Sequence, residues 1–90
     1  MEQSLEKELL QRMKQSKYLL TILNHRSIEK IQNGFIGFQI TQGLVYKLRV
    51  FLLKREGENK IFKILFQEWF GREQTAKDKM HELLQQYKKQ

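Results

Sequence analysis

Between Leu44 and Phe66, six basic side chains stand against two acidic ones, Glu56 and Glu58. The cations are Lys47, Arg49, Lys54, Arg55, Lys60 and Lys63, with Phe51 among them and Trp69 and Arg72 a few residues further on. Lysine and arginine pair with phosphate oxygens, and an exposed aromatic ring offers a face on which a base stacks; together they hold single-stranded nucleic acid. These nine residues are the candidate binding set. For Trp69 and Arg72 the plainer reading, a ring closing the core and a solvated cation, is preferred because aromatic burial dominates small cores.

Other chemistries find little support. The chain has no cysteine, which excludes disulfides, thiolate metal sites and a cysteine nucleophile. His25 and His81 have no carboxylate at ligand spacing, so no metal site is expected. Ser4, Ser16 and Ser27 lack a nucleophile's context, and the close glycines of "GFIGF" lack phosphate-loop spacing. With no acid, base and nucleophile to name, neither enzymatic activity nor a cofactor is expected.

Those residues must be carried by a small scaffold. Ninety residues, 40% hydrophobic and including ten aromatics (6 Phe, 3 Tyr, 1 Trp), suit a single folded domain, 1–90, whose modest core favours completion by a homodimer. The charged N-terminus "MEQSLEKELLQRMKQ" is no signal peptide, and no window approaches the ~20 apolar residues of a membrane span. A cytoplasmic protein is expected. Its net charge of +7 attracts polyanions: nucleic acid, an anionic membrane or an acidic protein. Glu2, Glu6 and Glu8 on the polar side of the first helix argue against the membrane.

The periodicity predicts an α+β fold. Leu5, Leu9, Met13, Leu20 and Leu23 share one side of a helix over about 4–25. Residues 27–34, "SIEKIQNG", form an ambiguous lead-in: Asn33-Gly34 suits a helix C-cap or a hairpin, and broken alternation tilts the reading to a helical turn with a fourth strand as the alternative. Strands follow over about 35–41, 44–54 and 60–70, where the apolar period is two: Ile36, Phe38 and Ile40; Leu44, Tyr46, Leu48, Val50 and Leu52; Phe62, Ile64 and Phe66. Thr75 and Asp78 suggest a capped helix over about 75–88, with Ala76, Met80, Leu83, Leu84 and Tyr87 on one face.

Helices gathered on the even-numbered face of an antiparallel meander bury both apolar stripes. The odd face then carries Lys47, Arg49, Phe51, Lys63 and Trp69, together with Val45, Leu53, Ile61 and Leu65. That is much apolar surface for a solvated face, so a helix or another copy of the chain is expected to cover part of it. Two functions compete: a non-enzymatic basic nucleic-acid-binding or regulatory protein using this face, and an interaction module, an inhibitor or adaptor, binding an acidic protein.

Overall fold

The computed structural model describes residues 2–15 and 21–88. Helix α1 (Glu2–Gln15) precedes strands β1 (Ile22–Ile31), β2 (Gly34–Gln42), β3 (Tyr46–Glu56) and β4 (Asn59–Phe70), and helix α2 (Glu73–Lys88) ends the chain. The strands form one antiparallel sheet in the order β1-β2-β3-β4, which makes the chain α+β. Sheet order follows chain order because every connection is a tight turn. Loops of two residues join β1 to β2 and β3 to β4, and residues 43–45 join β2 to β3. Gly57 takes a positive φ of 64° at the first central position of the β3–β4 turn, a conformation that glycine adopts without a Cβ clash.

The ambiguous segment is strand, not helical turn. The expected first helix is described over Glu2–Gln15, residues 16–20 lie outside the described set, and Ile22 already belongs to β1. Sheet pairing overrides the helical spacing here. The register shifts between Leu23 and His25, so Asn24 is a bulge. Beyond it Ile28 opposes Gly37 on one face and Ile31 opposes Gly34 on the other, so this strand has no single apolar side to read. The turn itself uses Gln32 and Asn33, with Asn33 at a φ of 67°.

The two helices lie on opposite faces, which corrects their expected grouping on one. On the even face of β2 and β3, Ile36, Phe38, Ile40, Leu48 and Val50 are buried with Ala76, Met80 and Leu83 of α2. On the odd face Phe35, Phe51 and Leu53 are buried with Leu5, Leu9 and Met13 of α1. An apolar stripe states that a helix packs, not on which side. The odd face carries enough apolar area for its own cover, and α1 supplies it. Gly37 sits under that contact: a Cβ there would lie 2.4 Å from the Met13 sulfur.

A second bulge changes the faces of β4. Val50 opposes Phe66 while Phe51 opposes Ile64, leaving Leu65 as the extra residue. Phe62 and Ile64 therefore lie on the α1 side, Leu65 and Phe66 on the α2 side, and the expected common face of Phe62, Ile64 and Phe66 is split. Helix α2 also starts two residues before Thr75, and Asp78 accepts a hydrogen bond from Gln74 Nε2 at 2.9 Å inside the helix. The expected capping box is therefore replaced by an ordinary first turn.

Candidate nucleic-acid interface

Cross-strand pairing sorts the nine candidate residues into two groups at opposite ends of the sheet, with Phe51 between them. Arg26, Gln39, Arg49 and Gln67 form one row across the α1 face, and Leu23, Thr41, Lys47 and Trp69 form the next. Lys54, Arg55, Lys60 and Lys63 belong to the β3–β4 hairpin, where Lys54 and Arg55 lie roughly 17–26 Å along β3 from Arg49 and Lys47 at about 3.3 Å per residue, and Lys63 opposes Leu52. Arg72 follows β4 at the Trp69 end and is exposed.

The expected open basic face does not exist in that form. Phe51 is 1% exposed beneath α1, stacked on Phe62 with ring centroids 6.0 Å apart. Lys47 and Arg49 are 4% and 8% exposed, too enclosed to meet a polymer's phosphates directly. The Lys47 ammonium lies 4.3 Å from the centroid of the Trp69 ring, a cation–π contact that occupies one face of that indole. Trp69 itself is 56% exposed.

A polar chain missed by sequence reasoning runs through the same rows. The fully buried Gln39 donates through Nε2 to the Met13 carbonyl at 3.0 Å, and accepts at Oε1 from Arg26 Nε at 3.1 Å. The bond to Met13 ties the carboxyl-terminal part of α1 to β2. Burial pushes the Arg26 pKa down from its usual high value. These polar groups fasten α1 to the sheet.

The hairpin cations differ from one another. Lys60 donates to Glu8 Oε1 at 2.8 Å, tying the hairpin to α1, while Glu8 Oε2 accepts from Arg12 Nε at 3.1 Å. The hydrogen bond from Lys60 is the main cause that holds the Glu8 carboxyl below the ordinary carboxylate range; partial desolvation opposes it, and Arg12 adds to the lowering. A depressed folded pKa stabilises the fold above the unfolded value, and that stabilisation is lost as pH falls through the folded value. For so exposed a pair it amounts to about 0.2–1 kcal/mol. A Lys60→Ala variant is expected to raise the Glu8 midpoint in an NMR titration and to blunt the loss of stability in acid.

Lys54 pairs with Glu56 at 3.1 Å, and Arg55 and Lys63 are exposed. Beside Lys54 and Arg55 the structure opens a cavity of about 510 Å³. Its apolar lining comes from Ile31, Ile36, Leu52, Leu65 and Tyr87, and its polar rim from Gln32, Asn33, Lys54, Arg55 and Glu56. Small-molecule sites commonly occupy about 300–1,000 Å³. The β1–β2 turn and the β3–β4 hairpin meet here because Arg55 N donates to the Asn33 carbonyl at 2.9 Å. Tyr87, near the end of α2, lines the cavity, with its ring centroid 6.3 Å from that of Phe38.

A base entering this space would meet an aromatic ring and aliphatic walls. The side-chain amides of Gln32 and Asn33 can hydrogen-bond its edges, and Lys54 and Arg55 can meet its phosphate. In the sequence Tyr87 looks like one more member of the α2 apolar stripe, and Ile31 and Leu52 look like core. Only the tertiary meeting of the two hairpins reveals them as a cavity wall.

Among the described residues, no group of three or more His, Asp or Glu side chains could hold a metal ion, and no helix is long and apolar enough to cross a membrane. No family model matches the chain, and no curated protein or solved structure matches it either.

Proposed function

We propose that this chain is a small, non-enzymatic cytoplasmic protein that binds single-stranded nucleic acid at the hairpin end of its sheet. The observation that carries this reading is the cavity, whose apolar, tyrosine-bearing floor lies directly beside Lys54 and Arg55. Phosphate and base recognition need these two chemistries side by side. The net charge of +7 supplies long-range attraction, and the cavity supplies the point of contact.

Glu56 gives the proposal its sharpest test. Its carboxylate holds Lys54, so an incoming phosphate must displace it. Reversing the two rim cations, Lys54→Glu with Arg55→Glu, is expected to weaken an oligonucleotide by about tenfold or more at low salt, because two phosphate contacts become repulsions. Glu56→Gln is expected to tighten it. A control with the same charge change on the exposed side of α1, Lys7→Glu with Lys14→Glu, separates contact from overall field. Fluorescence anisotropy reads all three. Equal losses in the two double variants would reduce the cavity to a bystander.

A second reading rests on a separate observation. Ile22, Leu23, Leu44, Val45 and Trp69 are all exposed, with Leu44 fully so, and they gather at the end of the sheet opposite the hairpin. Large apolar side chains clustered in solvent commonly mark protein contacts. An adaptor for an acidic partner would use this end. Leu44→Asp would weaken such a partner and leave oligonucleotide binding unchanged.

A further inference from the structure

We infer that β4 pairs with β4 of a second copy of this chain, in one register, to make a continuous eight-stranded sheet. β4 is a sheet edge, and among the described residues no strand pairs with its outer side. Its 12 residues present a long row of backbone groups for pairing. Helix α1 lies over β2 and β3, which leaves Ile64 and Trp69 of β4 50% and 56% exposed on that face.

The bulge selects the register. In a regular strand, residues five apart point to opposite faces, so Lys63 and Glu68 could not meet across a two-fold axis. The extra Leu65 restores them to one face: Lys63 opposes Leu52 and Glu68 opposes Leu48, both on the α2 side. An antiparallel pair centred between Leu65 and Phe66 then sets Lys63 against the partner's Glu68, and Glu68 against the partner's Lys63. The same register sets Ile64 against the partner's Gln67, Phe62 against the partner's Trp69, and Ile61 against the partner's Phe70. Every one of these pairs shares a face. The ladder is interrupted only at the axis, where Leu65 meets the partner's Phe66.

The opposite edge offers no carboxylate matched to a lysine or arginine. On β1, Arg26 and Lys30 lie on the α1 face while Glu29 lies on the α2 face. Antiparallel self-pairing joins like faces, so cation meets cation or neutral residue there, and like charges directly opposed destabilise a sheet. Charge complementarity therefore points to β4 and to a second copy as its occupant.

Lys60 falls opposite the partner's Gly71, so the partner's Arg72 comes beside the hairpin cations that one chain holds apart from it.

Sedimentation equilibrium of the full chain tests the pairing. The unaltered protein is expected to dimerise. Lys63→Glu and Glu68→Lys, each placing like charges at both contacts, are expected to weaken the dimer by about tenfold or more, and the double exchange is expected to restore it. Restoration also shows that the single variants fold. A monomer at the highest soluble concentration would overturn the inference, as would a dimer that either single variant leaves unchanged.

Discussion

Gly34→Ala is expected to cost on the order of 3 kcal/mol or more, a large share of the roughly 5–13 kcal/mol that holds a domain of this size together. A Cβ at position 34 would lie 2.2 Å from the Leu53 carbonyl oxygen, 2.5 Å from Lys54 Cα and 2.6 Å from Lys54 Cβ. Two of these neighbours are backbone of the adjacent strand, so no rotamer change relieves the overlap. β2 must move away from β3 at the point where the β1–β2 turn is tied to Arg55. Gly71→Ala is the matched control, since a Cβ there meets nothing within 4 Å and its φ is not in the left-handed region. Urea unfolding should separate the two variants clearly. Equal stabilities would mean that the β2–β3 contact is looser than the structure has it.

Phe38→Ala is expected to cost about 3–5 kcal/mol, the range for removing a buried phenyl ring. Phe38 has no exposed surface and sits in the layer beneath α2, among Ile36, Ile40, Leu48 and Val50. Its ring also tilts against Tyr87, so its loss removes support from one wall of the hairpin cavity. The effect should be twofold: a lower denaturation midpoint, and weaker oligonucleotide binding under conditions where the variant is still folded. Phe51→Ala offers a contrast, because Phe51 is equally buried but lies on the α1 face, away from the cavity. It should lower stability by a similar amount and leave binding of the folded fraction unchanged.

The parts of the fold that could be read from the sequence are those in which one face is apolar and the other is not. β3 alternates apolar and basic residues from Tyr46 to Val50, with Leu48 and Val50 buried, and α2 carries Ala76, Met80 and Leu83 on one buried stripe, as those patterns imply. β1 hides because its bulge and its two divided isoleucines erase the period. The change of face in β4 hides for the same reason, since one inserted residue such as Leu65 leaves an apolar run looking apolar. The side taken by α1 depends on which sheet face offers it apolar surface, and both faces do, so the stripe of α1 alone cannot name the side.

The candidate site was legible as charge and not as shape. Lys54, Arg55, Lys60 and Lys63 do gather at one hairpin, as their spacing around Gly57 implies. Lys47, Arg49 and Phe51 alternate on β3 as expected, yet that alternation sends them under α1. Alternation assigns a face, and only the third dimension says whether that face is open. Gln39 illustrates the same limit: a glutamine in a strand reads as solvated, but here it bridges Arg26 and the end of α1.

The most direct test of binding at the hairpin end is an amide-resolved NMR titration of the labelled protein with a short single-stranded oligonucleotide at low salt. Binding at the cavity should perturb Gln32, Asn33, Lys54, Arg55 and the Tyr87 ring first, and raising the salt should reverse those shifts as counterions compete for the phosphates. Perturbations confined to the Trp69 end of the sheet, or none at saturating oligonucleotide, would contradict the account.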